Sequence, residues 1–158
     1  MIKLKIRLFF LLLLACVLTI LPLPHIIAGF KPPWVLLFIL YVQFYLPQYF
    51  NISILLFVGV CLDVLLSTAL GEHAFALILT TWLAASKVRR FNFFSILQQM
   101  MLVGLFCFVY QWTVFLMDAY MGHSNGLLMV VGAAFLGLLF WPFIRLLGES
   151  TLCYDPRL

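Results

Sequence analysis

The run from Phe94 to Met117, FSILQQMMLVGLFCFVYQWTVFLM, contains no Asp, Glu, Lys or Arg. After a short polar break comes a second run from Leu127 to Leu147, LLMVVGAAFLGLLFWPFIRLL, in which Arg145 is the only charge. About 20 consecutive apolar residues let a helix cross a hydrocarbon layer of about 30 Å at 1.5 Å per residue. Non-helical backbone in lipid leaves its amides unsatisfied, so the options are helices or a closed barrel. Both runs are continuous, without the alternation of barrel strands. They read as helices that span a bilayer, and the rest of the chain is read outward from them.

Composition agrees. The chain has 158 residues, of which 66% are hydrophobic and 9% charged. Soluble domains run nearer half apolar and a quarter charged, and a domain of this size leaves a large share of its surface exposed. A water-soluble fold is excluded. The net charge of +4 does not point to nucleic acid, because the basic residues sit in short clusters between apolar runs and form no polar face. The partner these clusters imply is the lipid bilayer.

Four further runs precede the first two: about Leu8 to Ile27, Pro33 to Leu46, Ile52 to Leu70, and Ala74 to Ser86. The second of these is short, opens on a proline where a helix tolerates one, and stops at Pro47. The expected fold is all-α: a polytopic integral membrane protein with about six transmembrane helices in one domain over residues 1–158. The turn Gly71-Glu72-His73 is the weakest boundary, and reading the tracts on either side of it as one leaves the alternative of four spans.

Orientation follows from the cations. With six spans, Lys3, Lys5 and Arg7, then Lys87, Arg89 and Arg90, then Arg145 and Arg157 all fall on one side, and only Lys31 lies opposite. The positive-inside rule makes that side the cytoplasm, with both termini in it, and puts Glu72 and Asp118 in outer turns. The basic turn Lys87, Arg89 and Arg90 then faces the cytoplasm, where its expected contact is anionic lipid, with a cytoplasmic filament system as the alternative.

Leu13-Leu14-Ala15-Cys16 after a basic start has the form of a lipoprotein signal and cleavage site. The stretch that follows, Val17 to Leu21, is apolar and not a polar tether, so the uncleaved reading is preferred. Cys61 and Cys107 fall inside spans and Cys153 in the tail. No pair has metal-ligand or redox spacing, and no structural disulfide is expected.

Polar residues inside the membrane are costly and therefore informative. Asp63 lies in the third span, where a carboxylate costs about 2.5 to 3.5 kcal/mol on insertion scales, so it must face a partner. Gly59, Asp63 and Ser67 recur at spacing four as one small polar stripe. Three readings stand: a packing contact that fixes the bundle, a protonatable or ligand-binding carboxylate, and direct contact with a partner protein. In the fifth span Gly104, Cys107, Gln111 and Asp118 share one face, and Gln111 is a candidate donor to Asp63. Ala133 and Gly137 in the sixth form a small-xxx-small pair that reads as helix packing.

Chemistry at other positions is not indicated. His25, His73 and His123 map to outer ends of spans without the spacing of a metal site, and they read as interfacial loop residues. There is no glycine-flanked serine, no HExxH and no GxGD aspartate pair. No enzyme, cofactor or metal is expected. Trp34, Trp82, Trp112 and Trp141, with Tyr41, Tyr45, Tyr49, Tyr110 and Tyr120, read as interfacial belt or packing aromatics.

The stretch Phe30-Lys31-Pro32-Pro33-Trp34-Val35-Leu36-Leu37, continuing to Leu40-Tyr41 and Leu46-Pro47, resembles the start of the second span in the rod shape-determining protein MreD family. Gly59-x3-Asp63-x7-Gly71 and the later pair Trp141-Pro142 are similar to that family's patterns in order and spacing. The resemblance marks Pro32, Trp34, Gly59, Asp63, Gly71, Trp141 and Pro142 as structural or interaction residues, with Ser67 and Gln111 added from the polar stripes. It implies a non-catalytic inner-membrane subunit of the bacterial cell-elongation machinery. The implied partner is MreC first, and indirectly MreB, RodA and its penicillin-binding transpeptidase. An alternative of another class is a small-molecule or lipid-binding subunit, since the family also resembles, at fold level, the substrate-binding component of energy-coupling-factor transporters.

Overall fold

In the computed structural model, which describes residues 2–21, 31–122 and 126–152, the apolar runs become helices. They are α1 (Ile2–Ile20), α2 (Trp34–Tyr45), α3 (Ile52–Leu66), α4 (Glu72–Ala85), α5 (Val88–Phe91), α6 (Ile96–Tyr120) and α7 (Leu127–Leu152), with a 3-10 turn at Pro47–Tyr49. Among the described residues there is no strand. Phe30, His25, His123, Cys153 and Arg157 lie outside the described residues.

Local chemistry sets the helix ends. Pro33 precedes the first residue of α2, and Pro47 follows shortly after its last, as expected of a residue that tolerates a helix start but not its interior. The Asn51 side chain accepts from the Ser53 amide at 3.1 Å and starts α3. Ser95 and Gln98 form a reciprocal capping box at the start of α6. At the other end of α3, Ser67 has φ 55 and ψ 36, a left-handed conformation that stops the helix at Leu66. That is short of Leu70, where the apolar run itself ends, and the extra residues form the turn into α4.

Two helices are long and apolar enough to cross a membrane, over Ile96–Tyr120 of α6 and Leu127–Gly148 of α7. The helices α2, α3 and α4 are apolar but shorter. The two long helices are not core helices of a soluble protein, because Leu97, Met101, Leu105, Leu128, Phe135 and Phe143 all point outward. Phe9 and Phe10 of α1, Phe57 and Val64 of α3, and Trp82 of α4, which is 72% exposed, continue that surface around the bundle. Apolar exposure on this scale is far beyond what a monomeric water-soluble protein carries, and lipid is the solvent that suits it.

α2 forms the interior. Nine of its 12 residues are buried, and it packs on α1, α4, α5, α6 and α7. The other main seams are α3 on α4, α4 on α6, and α6 on α7. Small residues set their spacing. A Cβ at Gly59 would overlap the backbone of Ala74 and approach its Cβ to 2.7 Å, so α3 and α4 lie in close contact. On the α6–α7 seam, a Cβ at Gly137 would come within 2.6 Å of the Cys107 Sγ, and one at Gly104 within 2.9 Å of Leu138. Ala133, also buried, completes that small-residue face.

Candidate functional site

Asp63 is fully buried near the end of α3, and the turn that follows wraps around its carboxylate. Oδ2 accepts from the Gly71 amide at 2.7 Å, and Oδ1 accepts from the His73 amide at 2.8 Å. The His73 ring completes the set, with Nδ1 3.0 Å from Oδ1; for an ionised Asp63, the ring proton belongs on Nδ1. Thr68 Oγ1 lies 3.5 Å from Oδ1 and 3.3 Å from His73 Nδ1.

The physical logic is that of a helix cap supplied from another helix. The first amides of α4 have no partner within their own helix, and their partial positive charge favours an anion there. Gly71 occupies the N-cap position with φ 97 and offers no side-chain cap of its own. Asp63 fills that vacancy from the end of α3, so the desolvation cost of a buried carboxylate is offset by hydrogen bonds to charge. Gly59, one turn earlier on the same face, brings the helices close enough for this to work.

Several sequence expectations change here. The partner of Asp63 is its own turn, and Gln111, half-buried on α6, is not among its hydrogen-bond partners. Ser67 does not extend the stripe of Gly59 and Asp63, because it has left the helix and its side chain is exposed. His73 is not a loop residue. It lies in the first turn of α4, mostly buried, with its ring 6.2 Å from that of Tyr110. Among the described residues, no group of three or more His, Cys, Asp or Glu is placed to hold a metal ion.

A second polar cluster lies at the opposite end of the bundle and was not foreseen. Gln99, buried in the first turn of α6, donates from Nε2 to the carbonyls of Phe91 at 3.3 Å and Phe94 at 3.1 Å. Its Oε1 accepts from the Tyr45 hydroxyl and from Arg145 Nη1, each at 3.3 Å. One amide side chain therefore ties the loop after α5 to α2 and α7. Phe91 itself is fully buried, stacked on Phe44 with ring centres 3.8 Å apart and edge-on to Trp141 at 5.7 Å. Its neighbours Lys87, Arg89 and Arg90 stay exposed, as does Phe93. The basic turn is thus anchored by one aromatic residue while its cations face outward.

The remaining motif residues also pack the bundle. Pro32 and Pro33 are buried, and Trp34 at the start of α2 meets Phe140 of α7 edge-on at 4.8 Å. Trp141 is fully buried, so it is a packing residue and not part of an interfacial belt, whereas Trp82 faces outward. Pro142 follows Trp141 inside α7, where a proline removes one hydrogen-bond donor from the helix. Gln43 on α2 reaches across to the Thr81 carbonyl of α4 at 2.8 Å.

A family model described as rod shape-determining protein MreD matches residues 2–150. The chain belongs to the MreD family. A curated relative, the rod shape-determining protein MreD of Haemophilus influenzae, is 28% identical over 134 residues, covering 85% of this chain and 83% of that one. No solved structure matches the chain. The three stretches that resemble MreD thus fall at the opening of the central helix, at the α3–α4 cap and at the buried tryptophan of α7. MreD is a family of cell shape-determining membrane proteins, and the lipid-facing surface of this bundle suits that family.

Proposed function

We propose that the chain is a non-catalytic subunit of the bacterial cell-elongation complex, set in the inner membrane by six spans with both termini in the cytoplasm. In this reading it scaffolds MreC, and through MreC serves MreB, RodA and its penicillin-binding transpeptidase as they build lateral peptidoglycan. The observation that carries the reading is the match to MreD across residues 2–150.

The use of the polar groups supports it. Asp63 and Gln99, two buried polar side chains at opposite ends of the bundle, are committed to hydrogen bonds within the fold. A rigid bundle with an apolar exterior is what a scaffold for another protein's transmembrane helix needs, because helices associate in lipid through close packing. The exposed cations Lys87, Arg89 and Arg90 suit contact with anionic lipid on the cytoplasmic face.

Co-purification tests the proposal. The full chain is expressed in detergent-extractable form with and without MreC, and the two are expected to migrate as one complex. An Asp63→Ala variant that stays folded yet loses MreC would put the α3–α4 end of the bundle at or near the contact. A folded wild-type chain that never associates with MreC would sink the scaffold reading.

A further inference from the structure

Glu72 opens α4, and Asp118 lies in the last turn of α6. The seam between these helices brings the two carboxyl groups into hydrogen-bond contact. Glu72 is only 3% exposed. Its carboxyl meets the Ala69 amide, but Oε1 is buried and, among the described residues, meets no hydrogen-bond donor. The amides that would serve an anion at the head of α4 are already taken, since Gly71 and His73 donate to Asp63.

Two ionised carboxylates are acceptors only, with no hydrogen to place between them. A hydrogen bond from one to the other therefore needs a proton on the pair, and like charges at that range do not both persist in a buried site. The charged groups that act on Glu72 are Asp118 and Asp63, both acids. On α4 its neighbour His73 turns its ring to Asp63. From α6, Tyr110 also faces Asp63 and Glu72 and is buried. Tyr41 and Tyr45 of α2 belong to the other end of the bundle, beside Gly148 and Gln99. Asp118 is half-buried, which gives the pair a route for exchanging a proton with solvent.

We propose that Glu72 and Asp118 share one proton, and that this proton latches the head of α4 to the tail of α6. Its loss puts two negative charges into the seam and loosens it. The folded chain then holds a proton that the unfolded chain, whose carboxyls ionise near about pH 4, gives up. Stability falls as pH rises wherever the folded state binds more protons, so the latch is strongest in acid and weakens toward alkaline pH. The latch does not depend on the scaffold reading and is measured on the chain alone.

Melting of the full chain in detergent, followed from mildly acidic to alkaline pH, tests it. Glu72→Gln puts a permanent N–H donor where the shared proton lies, whereas Glu72→Ala supplies no donor. At mildly acidic pH the Gln variant is expected to melt with wild type and the Ala variant below both. As pH rises, wild type should lose melting temperature relative to Glu72→Gln. Asp118→Asn makes the same exchange from the other side and replaces Glu72→Gln if that variant does not fold. Infrared difference spectra between wild type and Glu72→Gln at mildly acidic pH should show the C=O stretch of one protonated carboxyl, shifted in D2O. That band should vanish in step with the fall in melting temperature. Absence of the band, or the same pH dependence of melting in wild type and Glu72→Gln, would overturn the proposal. So would stabilisation of wild type at mildly acidic pH by sodium chloride but not by choline chloride at equal concentration, because a metal cation and not a proton would then hold the pair.

Discussion

The carboxylate of Asp63, near the end of one helix, lies 2.8 Å from the amide of His73 in the first turn of the next. The two residues are ten apart in sequence, and the contact closes the α3–α4 hairpin at its turn. Loss of this acceptor leaves the part-buried Gly71 and His73 amides without their partner, at a cost of about 1 kcal/mol each. Asp63→Ala is therefore expected to lower the melting temperature in detergent more than any exposed substitution on α3. Asp63→Asn keeps one acceptor oxygen and should lose less. Gly71→Ala meets no atom within 4 Å but must hold φ 97, at about 1–2 kcal/mol for the left-handed conformation. Equal melting of Asp63→Ala and wild type would show that the cap contributes nothing.

Close approach of α3 and α4 depends on the missing side chain at position 59. Gly59→Ala places a methyl against the backbone of Ala74, so one helix has to move and about 1–3 kcal/mol is lost. Spin labels on the exposed sides of α3 and α4 should report a wider separation in the variant. Ala74→Gly should relieve part of the strain in the double variant. Additive effects of the two substitutions would show that they do not meet.

Gln99 holds the two carbonyls that fix the loop after α5. Gln99→Ala should let the loop open locally while the rest of the bundle stays closed. With two hydrogen bonds lost at about 1 kcal/mol each, and 1.4 kcal/mol equal to a factor of ten, trypsin is expected to cut at Lys87, Arg89 or Arg90 on the order of ten times faster or more. Gln98→Ala, which disturbs only the exposed capping box of Ser95, should have a much smaller effect. Identical cleavage rates in wild type and Gln99→Ala would show that the turn is held by Phe91 alone.

Membrane class and helical content were legible in the sequence, because uncharged runs such as Phe94 to Met117 admit no other solvent. The need of Asp63 for a partner was legible too. Its identity was not, since a stripe at spacing four points sideways to another helix, whereas α3 stops at Ser67 and the turn folds back on it. The later signal was a glycine eight residues on, followed at once by a helix start. Phe91 was hidden for a different reason. Three phenylalanines, Phe91, Phe93 and Phe94, flank the basic turn, and hydrophobicity alone does not say that Phe91 turns inward while Phe93 is 88% exposed. Gln99 escaped notice because a glutamine at the mouth of an apolar run reads as a boundary, when here its two ends reach three separate elements.

The central position of α2 bears on how the protein is made. At 12 residues it is about 18 Å long, well short of a bilayer, and apart from α1 the helices it packs on do not yet exist when it leaves the ribosome. Trp34 waits for Phe140, and the Phe44–Phe91 stack waits for Trp141, all from the second half of the chain or its last helix. Synthesis thus leaves a half-built membrane protein with a partly unsheltered heart until the final segment arrives, which makes its carboxyl-terminal portion the gatekeeper of assembly and a stop codon before α7 a loss of packing for α1, α2 and α6 at once.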